Sequence, residues 1–276
     1  MKEDKSKLEL IDLEWLLDHH KSKESERRQM VNDLNIKSGD LILDLGCGPG
    51  LWTALLAEKV KPNGKVIGID SAPELLNYAI KNLKKEPLRD LIEFKKADFA
   101  DIPYRDDIFD LVFFGNCFAY VSNHSQILAE MKRVAKPGGR VAAKDFDGAL
   151  FIVHPIGPDL TMKIMAATAR ALKENPLEPV FDNYTGRKMH GLFLKGGLKD
   201  VSTTSYAIQK LHPLTPEIKN YITGNAQWLI KIGDPILSEE DIQQWISYFD
   251  PNSDRYILDL EEFYFCMLEI MTIGTV

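Results

Sequence analysis

The stretch from Asp40 to Gly50, DLILDLGCGPG, constrains this chain more than any other. Leu41, Ile42, Leu43 and Leu45 make a short apolar run broken only by Asp44, and three glycines follow at alternate positions, Gly46, Gly48 and Gly50. Directly behind them, Leu51 to Val60 (LWTALLAEKV) places Leu51, Ala54, Leu55 and Leu56 at the three-to-four spacing of a helix packed on a sheet. Apolar strand, glycine turn and helix in that order read as the first βα unit of a nucleotide-binding α/β domain, where a ligand sits beyond the carboxyl end of the strand.

The glycine spacing separates two cofactor classes. A dinucleotide fingerprint, G-x-G-x-x-G, would need its last glycine at position 51, where this chain has Leu51. What stands here is D-x-G-x-G-x-G, Asp44 through Gly50, which resembles the first motif of class I S-adenosylmethionine-dependent methyltransferases. Glycines without a Cβ let the backbone pass close to the methionine part of such a cofactor, and no phosphate has to be cradled.

The following segments extend the pattern. Lys65 to Asp70 (KVIGID) reads as a second buried strand ending in an acid, with Asp70 about 20 residues beyond the glycine turn, where a carboxylate accepts both ribose hydroxyl protons and repels a 2′-phosphate. Ser71 is expected at the N-cap of the next helix, with Glu74 three later and apolar Leu75, Leu76, Ala79, Ile80 and Leu83 behind it. Ile92 to Lys96 reads as a third strand followed by Ala97-Asp98-Phe99, and Ile108 to Phe114 as a fourth, followed by the loop Gly115 to Tyr120. Gln126 to Val134 is expected as a helix, and the KPGGR turn at 136–140 leads into a fifth strand, Val141 to Lys144.

LDLGCGPG, IGID, ADFADIPY, FDLVFF and KPGGRV occur in the order and spacing of class I methyltransferases, most closely the group that includes quinone-biosynthesis and other small-molecule enzymes; the resemblance covers residues 25 to 148. It implies an α/β, Rossmann-like sheet of seven strands, mostly parallel with the last antiparallel, plus helical lid insertions. It also implies S-adenosyl-L-methionine as cofactor. By the same resemblance Asp44, Gly46, Cys47, Gly48 and Gly50 hold the methionine end, Asp70 the ribose, and Asp98 with Phe99 the adenine. Ser71 and Asn116 count among the cofactor contacts, and Phe118 and Tyr120 border the transferred methyl. Without the resemblance, Asp98 reads as a plain turn residue.

Outside this core the readings are more open. Leu8 to His20 is a broad amphipathic helix and Glu24 to Leu34 a second one, so residues 1–34 are expected as a helical lid. Trp15 is a candidate wall for the substrate, and Arg27 or Arg28 a candidate partner for the methionine carboxylate; simple surface packing is the alternative for each. His19-His20 gives no metal site, because adjacent helical residues diverge and no further ligand completes a set. Asp145, Asp147 and His154 follow the fifth strand on the ligand side, which makes Asp145 and His154 candidate bases and Asp147 a substrate contact, with a structural role as the alternative.

The cofactor core is expected over 35–154, inserted helices of a substrate lid over 155–197 with Tyr184 as a further substrate contact, and completion of the sheet over 198–276 with a helical insertion at 213–250. Ser238 should cap the last helix. Glu262 to Thr275 fits either helix or strand by pattern, and its Tyr, Phe, Ile and Thr content favours the final strand.

The chain has 276 residues and a formal net charge of −7, which opposes a broad nucleic-acid footprint. Its three cysteines, Cys47, Cys117 and Cys266, show no paired spacing and read as reduced thiols, with no zinc site. MKEDKSKLEL is too charged for a signal peptide and no run of 18 apolar residues occurs, so a cytoplasmic protein without a membrane span is expected. An arsenic methyltransferase would need several thiols at the acceptor, and only Cys117 is well placed. The leading reading is methyl transfer to an O, N, S or C nucleophile of a small molecule. A protein or RNA methyltransferase is the alternative, and an NAD-binding oxidoreductase or non-catalytic nucleotide-binding module is disfavoured by Leu51. Oligomeric state and acceptor are left open.

Overall fold

A computed structural model describes residues 13–85, 87–177 and 180–276. The elements run α1 (Leu13–Lys21), α2 (Glu24–Asp33), β1 (Leu41–Leu45), α3 (Leu51–Val60), β2 (Lys65–Asp70), α4 (Pro73–Leu83), β3 (Ile92–Lys96) and β4 (Phe109–Gly115). They continue with α5 (His124–Val134), β5 (Ala135–His154), α6 (Pro158–Glu174), α7 (Met189–Lys195), β6 (Lys199–Leu211), α8 (Pro216–Gly233), α9 (Glu239–Phe249) and β7 (Tyr264–Thr275). The start of the expected first helix, residues 8–12, lies outside the described residues.

Seven strands form one sheet in the order β3-β2-β1-β4-β5-β7-β6, mostly parallel with the last strand antiparallel. Continuous apolar runs make the central strands, because a parallel strand covered on both faces has no polar side to show water. Leu43 lies opposite Ile67 of β2 and Val112 of β4, and Ile42, Leu43, Leu45, Val66, Ile69, Val112, Phe113 and Phe114 are fully or almost fully buried. β3 keeps only Ile92 buried, as its place at the edge of the sheet allows. α3 packs on β1 and β2, α4 on β2 and β3, and α5 on β4. Successive crossovers therefore leave β1 toward β2 and return to β4, and strand order reverses at β1, where α/β sheets open a crevice.

The chain divides into two compact units. One comprises residues 25–146, 184–206 and 269–276 and holds β1 to β4 with α3, α4, α5 and α7. The other takes the chain up to residue 24, then 147–183 and 207–268. Its core is helical and aromatic: α8 packs against α1, α6 and α9, and Trp245, Phe151, Phe265 and Tyr221 fill the middle.

Several boundaries differ from the sequence reading. KPGG does not separate a turn from a strand; β5 runs through it as a bulge. Ala135 pairs with Phe109 and Arg140 with Leu111, so three extra residues loop out between them. The bulge is held by Gly138, which donates to Val276 O (3.0 Å), and by Val276, which donates to Gly139 O (2.9 Å). α5 begins at His124, earlier than expected, because Asn123 caps it by accepting from the Gln126 amide at 3.2 Å. α4 is capped by Ala72 and not by Ser71: Pro73 presets the first turn, and the Asp70 carboxylate takes the Ala72 amide instead. Ser238 does cap α9, and residues 264–275 are strand, as their β-branched and aromatic content favours.

Candidate active site

The turn after β1 is left-handed at Gly48 (φ 52°) and Gly50 (φ 81°), a conformation that costs an L residue roughly 1–2 kcal/mol. The two glycines answer different needs. A Cβ on Gly50 would come 2.6 Å from Phe94 Cζ, so packing alone excludes a side chain there. A Cβ on Gly48 would meet nothing nearer than Leu75 at 3.8 Å, so the space on that side of the backbone is open.

Asp70, at the carboxyl end of β2, ties the turn down. Its Oδ2 accepts the Gly48 amide at 2.7 Å and its Oδ1 the Ala72 amide at 2.8 Å, while Cys47 N donates to Ile69 O at 2.9 Å. Each carboxylate oxygen accepts a second bond, so two acceptor positions face away from these amides. Beside them, Ser71 is exposed. Asp44 lies deeper: it is 1% exposed, Thr53 Oγ1 donates to its Oδ2 at 2.5 Å, and burial pushes its carboxyl up to about 7, with the charge of Asp70 adding to the rise. Asp44 thus braces the first turn of α3 from below the glycines.

On the far side of β2, Asp98 is exposed and its Oδ1 accepts the Ala100 amide at 2.8 Å, a local turn bond. Phe99 packs edge-on against Phe114 with centroids 5.5 Å apart, and Phe114 packs against Phe118 at 4.8 Å, which makes an aromatic wall from the β3 loop to the β4 loop. Arg133 of α5, which sequence reading passed over, holds the β3 loop by donating to Tyr104 O (2.8 Å) and Ile102 O (3.0 Å). A lone arginine in the last turn of a helix gives no advance signal of that task.

The loop after β4 starts at Asn116, left-handed at φ 64°. Phe118 is buried and Tyr120 half-buried with its hydroxyl proton held more tightly than usual by burial and by Asp145. Asp145 is fully buried; it accepts from Ala119 N and Phe146 N, both at 3.0 Å, and burial raises its carboxyl to about 6. One oxygen thereby holds the loop through Ala119, and the other binds the next amide of β5. Burial also raises the Cys47 and Cys117 thiols, which keeps them protonated and poorly nucleophilic. Lys144, one residue before Asp145, is a second group the sequence reading missed. A lysine inside VAAKDF, among buried apolar residues, was the available signal.

The remaining candidates are spread more widely. Arg28 is exposed and paired with Glu58 at 2.8 Å, whereas Arg27 is buried with its guanidinium 4.7 Å from the Trp52 ring centroid. Tyr184, half-buried, has the Arg187 guanidinium 5.5 Å from its ring. Trp15, Asp147 and His154 belong to the other unit. There Trp15 stacks on Tyr221 at 5.9 Å and lies against Gly224, Asp147 is buried and accepts the Ala149 amide at 3.1 Å, and His154 is exposed at the end of β5. Among the described residues no group of three or more His, Cys, Asp or Glu could hold a metal ion, and no helix is long and apolar enough to cross a membrane.

A sheet ordered β3-β2-β1-β4-β5-β7-β6, with a glycine turn where the order reverses and an acid ending its second strand, is the architecture of class I S-adenosylmethionine-dependent methyltransferases. The chain belongs to the methyltransferase-domain family, which it matches over residues 36–197, more than half of its length. It is 34% identical over 149 residues to a demethylmenaquinone methyltransferase of Lactobacillus johnsonii, covering 54% of this chain and 61% of that one. It thus spans less than two thirds of the length of that curated relative. A demethylmenaquinone methyltransferase of Shouchella clausii is 30% identical over 202 residues, covering 69% of this chain and 82% of its own. Among solved structures, a putative methyltransferase from Bacillus halodurans superposes with a TM-score of 0.58 at 14% identity, covering 91% of this chain and 98% of that one, which is a likeness of fold.

Proposed function

We propose that the protein is an S-adenosylmethionine-dependent methyltransferase acting on a small molecule. The observation that supports this best is the Gly48 backbone, open on one side and held by Asp70 through its amide, at the point where strand order reverses. The cofactor, when bound, supplies a methyl group on a positively charged sulfur. Asp70 is the group for its ribose hydroxyls, through the acceptor positions not used by Gly48 and Ala72. Gly48 admits the methionine portion, Asp44 beneath it gains negative charge only as it ionises near pH 7, and the Phe99 side of the aromatic wall flanks the adenine with Asp98 beside it. Asn116, Phe118 and Tyr120 border the transferred methyl. Holding an acceptor in line with the breaking bond contributes up to ~7–11 kcal/mol by orientation alone.

The names of the curated relatives point to demethylmenaquinone as the first acceptor to try. For an oxygen acceptor a base is required. Asp145, raised to about 6 by burial, has a suitable proton affinity, and each of its oxygens accepts one backbone amide and keeps a second acceptor position.

Titration calorimetry with S-adenosylhomocysteine and, separately, with NAD tests the cofactor assignment. Binding of the first and not of the second is expected. Preference for NAD would overturn it. Production of S-adenosylhomocysteine from S-adenosylmethionine on addition of demethylmenaquinone in its reduced, hydroquinone form, whose electron-rich ring can accept the methyl and release a proton, tests the acceptor.

A further inference from the structure

Lys144 is 0% exposed, in a stretch of β5 whose neighbours Ala142 and Ala143 are equally buried. Its ammonium contacts the carboxylate of Glu269 on β7, itself 1% exposed, and donates to Asn116 Oδ1 at 3.1 Å. Burial lowers its proton affinity and Glu269 opposes that fall. Two charges withdrawn from water in this way seldom add net stability compared with apolar residues of the same size. Some other consequence of the pair must therefore be sought in what it touches.

What it touches is the first residue of the loop after β4. Asn116 occupies the left-handed region, which a non-glycine residue rarely holds without support, and it does so at the point where the chain leaves the sheet. Residue 144 grips it twice: the Asn116 amide donates to Lys144 O at 2.6 Å, and the Lys144 ammonium donates to the Asn116 side chain. One residue on, Asp145 accepts the Ala119 amide. Consecutive residues of β5 thus pin both ends of the segment 116–119, and Glu269 fixes the lysine from the opposite strand.

We propose that the buried Lys144–Glu269 pair is a positioning device for the methyl-transfer loop, holding Asn116 in its left-handed conformation and with it the residues up to Tyr120. This deepens the methyltransferase reading and rests on it only for the statement that this loop borders the methyl. The pair acts through Asn116, and neither member is assigned contact with a substrate.

The test uses the full chain and two substitutions at position 116. Asn116→Asp keeps an acceptor for Lys144, whereas Asn116→Gly tolerates the left-handed turn and removes the acceptor. Amide hydrogen exchange over 116–120 is read together with S-adenosylhomocysteine affinity. Asn116→Asp should match the parent protein in exchange, while Asn116→Gly should exchange at least tenfold faster over 116–120 with protection elsewhere unchanged, and should bind S-adenosylhomocysteine more weakly. A charge-free pair, Lys144→Met with Glu269→Gln, should reproduce the faster exchange, and adding Asn116→Gly to it should have little further effect. Unaltered protection in Asn116→Gly would overturn the proposal whether or not the charge-free pair folds. A parent protein that fails to bind S-adenosylhomocysteine would sink the cofactor reading instead, and the exchange comparison would still judge the strut.

Discussion

Replacing Asp44 by asparagine should change the pH dependence of stability in a defined direction. Burial raises this carboxyl from 3.8 to about 7, so the folded protein holds its neutral form far better than the unfolded chain does. A raised acid contributes stability that is fully present below about 3.8 and lost as pH rises through about 7. Three units at ~1.4 kcal/mol each set an upper bound of about 4 kcal/mol on that loss. Asparagine keeps an acceptor for the Thr53 hydroxyl and removes the titration. Any cost of its extra NH2 group is independent of pH, and Asp145, raised to about 6, cancels because both proteins contain it.

Urea unfolding of the two proteins at intervals from pH 4 to pH 8 gives the difference directly. Asp44→Asn should gain on the parent by about 2–4 kcal/mol across that range, with the change concentrated below pH 7. The sulfonium of S-adenosylmethionine above Asp44 would favour its ionised form, so S-adenosylmethionine affinity should rise with pH up to about 7 in the parent and stay level in Asp44→Asn. A flat stability difference, or one of opposite slope, would show that burial does not hold the Asp44 proton.

Three further outcomes follow from the same geometry. Asp70→Ala should weaken S-adenosylhomocysteine binding at least tenfold by calorimetry, since it removes a charged acceptor and frees the Gly48 amide at once. Gly48→Ala and Gly50→Ala should separate: the first should lower affinity more than melting temperature, because its Cβ enters open space, and the second should lose about 2–3 kcal/mol in urea, because its Cβ meets Phe94 at 2.6 Å. Ser238→Ala should cost about 1 kcal/mol by removing the α9 cap, with cofactor affinity unchanged.

The core from β1 to β4 was legible because each of its signals is local. LILDL, KVIGID and FDLVFF are buried runs whose bounds follow from the next glycine, proline or acid, and β1, α3, β2 and β3 stand where the residues place them. Glycines 46, 48 and 50 were readable as the turn between strand and helix, and the structure adds that all three are left-handed. Family resemblance then tied these turns to a cofactor class. The KPGG segment was misread because a bulge and a turn share the same glycine chemistry, and only the register against Phe109 and Leu111 tells them apart.

What tertiary structure alone decided concerns partners remote in sequence. Asp145 read as a candidate base, and only the fold shows that it also holds the Ala119 amide, 26 residues away. Lys144 acquires meaning only with Glu269, 125 residues away, because a buried charge is tolerated through a partner that no local pattern can announce. Sequence periodicity determines which side of a strand is dry; the closing of the sheet determines which charges meet there. The first depends on nearest neighbours along the chain, and the second on contacts formed only after the strands have assembled.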